Sequence, residues 1–296
     1  MKTLPDYLSD LKKGDYLSLA RVLTLVENEL PGSEEILKSL EINNAVPIIG
    51  ITGPPGAGKS TLVNALIEQL CKKEVKIAVL AVDPTSPFNL GSLLGDRVRM
   101  SAHYNNPYIF IRSIATRGSV GGLSAKIIEM ADVMRAADFD YIFIETVGVG
   151  QSEIEIAGLA DLTLVVLVPE AGDEIQHIKS GLMEIGDAFI VNKADREGAD
   201  IFAGNLTKML HQRTKETPVF KTIADKRNGI DGLLKWIENA SLDNTDKRQY
   251  LYTEKAFKLI QNDRMKDILK TELQKAVAEA LDKDDFNLYR FVSLYN

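Results

Sequence analysis

From residue 46 onward the chain alternates short, β-branched apolar runs with stretches of helical period, the pattern of a parallel sheet flanked by helices. The runs occupy residues 46–52, 75–83, 108–114, 141–146, 162–168, 188–192 and 218–223. Several are apolar throughout instead of alternating, as strands buried on both faces must be. No internal repeat and no low-complexity segment interrupts the series. The pattern predicts an α/β architecture, a mostly parallel sheet flanked by helices, with helical extensions at both ends.

Ahead of this core, Tyr16, Leu19, Leu23, Val26 and Leu30 recur at spacings of 3, 4, 3 and 4, one face of a helix. Asp15 is placed to cap it and Pro31-Gly32 to stop it. Such a stripe is expected to dock on the chain's own core. Beyond the core, residues 253–281 read as strongly helical, with Met265, Leu269, Leu273, Ala276 and Ala280 at spacings of 4, 4, 3 and 4. That stripe either packs back on the same chain or forms a dimer arm; periodicity does not choose between them. The expected division is a helical extension over 1–45, a central domain over 46–240 and a C-terminal helical arm over 241–296.

Composition narrows the partners. The 296 residues are 45% hydrophobic and 26% charged, enough apolar material for a packed core. A formal charge of -7 gives no electrostatic footprint for nucleic acid or an anionic membrane. The single cysteine, Cys71, excludes an internal disulfide, and His103, His177 and His211 make no zinc spacing. The longest apolar run, 162–168, is far shorter than the ~20 residues of a membrane span, and residues 1–10 lack a signal-peptide pattern. The expected compartment is the cytoplasm.

The strongest chemical signal is Gly53-Pro54-Pro55-Gly56-Ala57-Gly58-Lys59-Ser60, which matches G-x-x-x-x-G-K-[ST] between an apolar strand and a helical run. Its glycines let backbone N–H groups approach phosphate oxygens, Lys59 brings a cation to the β/γ-phosphates, and Ser60 offers a hydroxyl to Mg²⁺. Thr61 completes the phosphate-binding stretch. The fold expected is therefore that of a P-loop NTPase. Asn192-Lys193-Ala194-Asp195 closes a later buried strand, in the chain order of a guanine-recognition motif. There the Asp195 carboxylate would accept from guanine N1–H and N2–H₂, donors that adenine does not present, so GTP/GDP is the expected nucleotide. Thr222-Ile223-Ala224 stands where such proteins place a second base-contacting loop, with Ala224 as the contact.

Glu145-Thr146-Val147-Gly148 ends a strand where a carboxylate reaches Mg²⁺ or its water and a glycine N–H senses the γ-phosphate. The residue is Glu, one methylene longer than Asp, which suits contact through water. Residues 83–87 and 95–100 bracket a Gly-, Pro-, Ser- and Asn-bearing loop of the kind ordered by a nucleotide triphosphate, with Asp83 and Asp96 as oxygen donors for Mg²⁺. Arg97 is either steering charge or a surface cation. His103 and His177 read as non-catalytic. Gln151 and Lys179 are the candidates for positioning the attacking water, beside Lys59 and Glu145 as the other catalytic candidates.

Taken together these strings resemble the MeaB/ArgK type of P-loop GTPase, the G-protein chaperones associated with methylmalonyl-CoA mutase. The resemblance runs from Gly14-Asp15 and residues 17–27 through the P-loop, 83–87, 93–97, 111–113, 115–118, 121–124, 145–153 and 171–176. It implies a GTPase of the dimeric, nucleotide-gated class, with Mg²⁺ and switch contacts at Ser60, Asp83, Asp96 and Glu145. It also implies an additional switch over 168–179 that relays nucleotide state to an adenosylcobalamin-dependent mutase, and a homodimer contact from the C-terminal helices. Gating of cofactor loading, and protection or reactivation of the mutase, would be the output. The chain departs from the family pattern at Leu90, Glu170, His177 and Ile223.

Three rivals share parts of this pattern. A nickel metallochaperone GTPase would carry Cys/His ligands near the nucleotide domain, where Cys71 stands alone. An ATP-using kinase of an amino-acid transport system conflicts with Asn192-Lys193-Ala194-Asp195. A binding module with a dead P-loop would lack Lys59, Ser60 or Glu145, and all three are present. Asp195→Asn is expected to move base preference from guanine toward xanthine by restoring hydrogen-bond complementarity. Competition binding reads this directly, and a variant preferring GTP as strongly as the parent refutes the base-recognition assignment.

Overall fold

The computed structural model describes residues 3–83, 100, 103, 105–115, 126–146, 152–172, 182–211, 213, 216–242, 245–281 and 286–295. The chain divides into two compact units, Met1–Arg248 and Gln249–Asn296.

The first unit is built on seven strands: β1 (Ile48–Thr52), β2 (Ile77–Asp83), β3 (Ile109–Ala115), β4 (Tyr141–Glu145), β5 (Leu162–Leu167), β6 (Ala188–Val191) and β7 (Val219–Lys221). They form one sheet in the order β3-β2-β4-β1-β5-β6-β7, and every pair is parallel. Each predicted apolar run supplies one strand. β1, β5 and β6 are buried at every position, which is why their sequences show no polar alternation.

Helices cover both faces: α4 (Lys59–Cys71), α5 (Ile127–Arg135), α6 (Ser152–Leu159), α7 (Leu182–Ile185), α8 (Ala199–Leu210) and α9 (Ile230–Asn239). On one face Leu62, Leu66 and Leu70 of α4 join Ile49, Ile51 and Leu164 of the sheet and Leu233 and Ile237 of α9 in a single apolar cluster. Elsewhere Phe202, Leu206 and Leu210 of α8 pack with Val165, Phe189 and Val191. Burying a Leu or Phe side chain of this kind contributes about 1.5–3 kcal/mol.

The N-terminal extension forms α1 (Leu4–Lys12), α2 (Tyr16–Glu27) and α3 (Ser33–Lys38). Asp15 caps α2 as expected, its carboxylate accepting from Ser18 N at 3.0 Å. Leu19, Val22, Leu23 and Val26 are buried, and Tyr16 stacks on Phe139 at a centroid distance of 5.8 Å, so the stripe docks on the chain's own core. The helix stops earlier than Pro31-Gly32. Glu29 takes a left-handed φ of 51°, and Leu30 N donates to Leu25 O at 3.0 Å, which closes the last turn and leaves Leu30 half exposed.

The long C-terminal helix expected over 253–281 is two helices, α10 (Thr245–Arg264) and α11 (Lys270–Leu281), followed by α12 (Leu288–Val292). Asp263 precedes the break and Asp267 lies within it, and Asp competes with helical backbone bonding through its own side chain. Met265 and Leu269 of the predicted stripe therefore lie in a turn and are about half exposed. No described residue of the second unit is buried.

At the N-terminal edge of the sheet, Asp161 takes part in a buried charge cluster. Its Oδ2 accepts from Ile48 N at 2.7 Å and from the Arg135 guanidinium at 2.5 Å, and Arg248 pairs with its Oδ1. Arg135 Nε also donates to Val46 O at 3.2 Å. The Arg135 and Asp161 side chains are 1% and 4% exposed, so neither charge has water to fall back on. Asp161→Asn is expected to lower stability by about 3–5 kcal/mol, because a buried guanidinium loses its countercharge. Urea unfolding measures this, and a loss under about 1 kcal/mol would contradict it.

Candidate nucleotide site

The residues that carry the phosphate and base motifs converge at the C-terminal ends of β1, β4, β6 and β7, the edge where parallel α/β sheets bind ligands. The loop after β1 turns sharply onto α4. Gly53 has a φ of +137°, and a Cβ there would stand 2.0 Å from Val166 O. Gly58 has a φ of +87°, and a Cβ would meet Asn192 Nδ2 at 2.4 Å. Neither position accepts a side chain, so the backbone of the loop is free to face a ligand. Lys59 and Ser60 open α4 and both are buried. Lys59 Nζ donates to Gly53 O at 2.9 Å and Pro54 O at 3.2 Å, curled into its own loop. Gly56 and Pro55 are exposed, while Pro54 and Thr61 are half-buried.

Ser60 Oγ donates to Glu145 Oε1 at 2.6 Å, joining the start of α4 to the end of β4. Thr146 Oγ1 lies 3.0 Å from Thr52 Oγ1, a second tie between the same two strand ends. A buried hydroxyl beside a buried carboxylate is a hard oxygen donor pair, which fits Mg²⁺. No group of three or more His, Cys, Asp or Glu that could hold a metal occurs among the described residues. A cation here would complete its shell from phosphate and water, the usual habit of Mg²⁺.

The base side is organised by Asn192, buried at the end of β6. Its Nδ2 donates to Ala57 O at 2.9 Å, and its Oδ1 accepts from Thr222 Oγ1 and Ala224 N, both at 3.1 Å. Lys193 takes a φ of 55° and reaches Gly56 O at 2.7 Å. Asp195 pairs with Lys226 at 2.8 Å, and this hydrogen bond holds its carboxyl below the usual carboxylate range. Arg196, the next residue, pairs with Glu170 of the short turn Pro169–Gly172.

Gly53 to Thr61, Glu145, Asn192, Lys193, Asp195 and Ala224 are thus gathered at one edge. Asp96, Gln151, Lys179 and His177 lie outside the described residues, as does the side chain of Asp83, whose backbone ends β2. Thr52 and Lys226 were not singled out by the motifs, and Thr146 and Thr222 stood in motif strings without a role of their own, since each acts through a partner far along the chain.

A sheet of this order carrying a P-loop and an Asn-Lys-x-Asp turn defines a P-loop nucleotide-binding protein. Residues 19–281 match the family described as methylmalonyl Co-A mutase-associated GTPase MeaB, and the chain belongs to that family of GTPases. A GTPase of Pyrococcus horikoshii is 45% identical over 241 residues, covering 79% of this chain and 76% of that one. GTPase ArgK of Escherichia coli is 39% identical over 199 residues, covering 65% of this chain and 60% of that protein. A fused isobutyryl-CoA mutase of Geobacillus kaustophilus is 36% identical over 244 residues, 75% of this chain and 22% of that protein. The crystal structure of an LAO/AO transport system kinase superposes with a TM-score of 0.70 at 25% identity, covering 99% of this chain and 96% of that one.

Asn192→Ala would leave the Ala57 carbonyl, the Thr222 hydroxyl and the Ala224 N–H without their shared partner. The expected cost is about 1–3 kcal/mol of stability, with GDP affinity falling roughly tenfold. Thermal melting and calorimetric titration report the two effects, and unchanged values for both would show that the carboxamide does not hold the site.

Proposed function

We propose that the protein is a Mg²⁺-dependent GTPase that serves as a G-protein chaperone for an adenosylcobalamin-dependent acyl-CoA mutase, gating cofactor loading and protecting the enzyme. The observation that carries this reading is the fused isobutyryl-CoA mutase, in which a region resembling three quarters of this chain belongs to the same polypeptide as a mutase. The family description, a methylmalonyl Co-A mutase-associated GTPase, points the same way.

In this reading the P-loop backbone and Lys59 hold the β/γ-phosphates, Lys59 exchanging the Gly53 and Pro54 carbonyls for phosphate oxygens. Ser60 and Glu145, with Asp83 and Asp96, are the residues that would hold Mg²⁺. The ion when bound neutralises charge on the β- and γ-oxygens. Asp195 reads the guanine N1–H and N2–H₂, Ala224 lies along the base, and Asn192 and Lys193 brace both loops. Ala224 N already donates to Asn192, so it would reach a base oxygen only as a shared donor. Gln151 and Lys179 are the residues proposed to position the attacking water, with partner binding completing the geometry.

We further propose the division into an N-terminal extension over 1–45, a GTPase domain over 46–240 and a C-terminal dimerisation arm over 241–296. Support for a homodimer comes from the second unit, where Tyr250, Phe257, Ile260, Leu281, Leu288 and Tyr289 are all at least half exposed. Apolar surface on that scale marks an interaction face. The reading places the protein in the cytoplasm without nucleic-acid or membrane partners; among the described residues no helix is long and apolar enough to cross a membrane.

The likeness to a transport system kinase favours a second reading, in which the partner is a permease component. Affinity capture from native lysate, with the full chain loaded with GDP or with a non-hydrolysable GTP analogue, separates the two. Nucleotide-dependent recovery of a cobalamin-dependent mutase is expected. Recovery of a transport component or a nickel enzyme in its place would move the function to that rival and leave the GTPase chemistry standing.

A further inference from the structure

The two loops that would receive the base are already joined to each other by a side chain that no motif names. Lys226 Nζ donates to Asp195 Oδ2 at 2.8 Å, an ion pair across 31 positions of sequence. Asp195 is the carboxylate assigned above to the guanine N1–H and N2–H₂ donors. The ammonium is itself a donor, set on a carboxylate oxygen that the base would use.

The loop after β7 builds Lys226 into this position. Thr222 O accepts from Ala194 N at 3.0 Å, one residue before Asp195, and Thr222 Oγ1 and Ala224 N both bond Asn192 Oδ1 at 3.1 Å. Ala224–Lys226 then forms a single 3-10 turn, with Lys226 at its end. Arg227 follows with a left-handed φ of 60°, and Ile223 and Asn228 close the turn with reciprocal backbone bonds at 3.0 and 3.2 Å. Arg227 also grips Glu68 of α4, Nε on Oε2 and an Nη on Oε1 at 3.0 Å. Two parallel charge-assisted bonds of this kind hold a group in direction as well as position. The backbone beneath Lys226 is therefore anchored to the turn after β6, to itself and to α4, and the ammonium can leave Asp195 by rotation of its own side chain without moving the loop.

That rotation is cheap. The Lys226 and Asp195 side chains are 59% and 40% exposed, so water and salt compete with the pair and its net strength is small. Asp195 raises the pKa of Lys226, and the ammonium in turn holds the Asp195 carboxyl below the usual carboxylate range, so both partners are charged at neutral pH. A weak partner on a recognition group does not block the site; it is the competitor that an incoming base has to displace.

We propose that Lys226 is a specificity-determining residue of the base site, an internal stand-in on Asp195 that guanine displaces and a one-donor purine leaves in place. Guanine brings two donors for the two carboxylate oxygens, N1–H and N2–H₂, and takes Oδ2 from Lys226. Hypoxanthine brings N1–H alone, so it binds one oxygen while the ammonium stays on the other. A site rejects an analogue that lacks a donor because its own acceptor is left unpaired, and Lys226 relieves that penalty. Discrimination between the two bases is therefore smaller with Lys226 than without it.

This inference rests on the base-recognition reading of Asp195 and deepens it. The test is calorimetric titration of the full chain with GDP, inosine diphosphate and ADP, for the parent, Lys226→Met and Lys226→Arg, and for Asp195→Asn with and without Lys226→Met. GDP and inosine diphosphate carry the same phosphates, so the loss of a surface cation acts on both alike and cancels in the ratio of their affinities. Lys226→Met is expected to raise the preference for GDP over inosine diphosphate about two- to fivefold. Lys226→Arg, which keeps an ion pair on Asp195, should stay near the parent's ratio. In Asp195→Asn, which has no carboxylate to hold the ammonium, adding Lys226→Met should leave the ratio unchanged, because the two side chains act as one unit. A parent that binds GDP no better than ADP refutes the base-recognition assignment and this inference with it. A parent that prefers GDP, with a ratio that Lys226→Met leaves unchanged or lowers, or that shifts as much in the Asp195→Asn background, overturns the role of Lys226 and leaves the guanine site standing.

Discussion

The carboxamide of Asn192 is the point on which the nucleotide site depends. It is buried, and it satisfies one acceptor on the P-loop and two donors on the loop after β7. Only an amide side chain offers a donor and a double acceptor within one planar group. An aspartate would face the Ala57 carbonyl with a second acceptor, and a lysine would find no acceptor for its donors on the β7 side. Gly58 is bound to the same constraint, since a Cβ there would collide with this amide. The phosphate loop, the base-reading turn and the β7 loop are thus held in fixed relation before any ligand arrives, which limits the ordering cost of binding.

The sheet sets the stage on which that junction works. Because β1 lies between β4 and β5, the P-loop leaves the sheet centre with the Glu145 and Thr146 strand end on one side and the β5–β6 pair on the other. The opposite edge is treated differently. There Asp161 and Arg135 are withdrawn from water and tie the entry to β1 to α5, a static clamp whose charges have no ligand to meet. Buried charge at the base of the sheet ties Ile48, Val46 and Arg135 together through Asp161. At the top, buried Lys59 donates to two loop carbonyls that a phosphate can replace.

Much of this was legible in the sequence, for reasons that differ element by element. The strands could be read because parallel strands buried on both faces have to be apolar and β-branched. The P-loop could be read because its chemistry is contiguous, eight neighbouring residues on one turn. The end of α2 could not, because its left-handed residue is Glu29 where a glycine would have announced it. Nor could the break between α10 and α11, since Met265 and Leu269 keep a helical spacing through a turn. The polar contacts made by α4 are invisible to any local pattern: Asn64 and His103 are 39 positions apart, and Glu68 and Arg227 are 159 apart. Contacts of that separation are set by how the strands are ordered in the sheet, which spacing along the chain does not encode.

The two ends of the nucleotide cradle also differ in solvent, and this divides affinity from selectivity. At the phosphate end Lys59 and Ser60 are buried, so in the proposed reading their interactions with a phosphate would be little screened and would supply much of the binding strength. At the base end Asp195 and Lys226 are exposed and already paired, so exchanging the ammonium for guanine donors gains little free energy. What the base end would provide, in that reading, is a penalty for the wrong partner, because a base lacking N1–H and N2–H₂ would set its own acceptor against the carboxylate. In the proposed reading, tight binding and guanine preference are therefore carried by separate side chains, at opposite ends of a scaffold that Asn192 ties together.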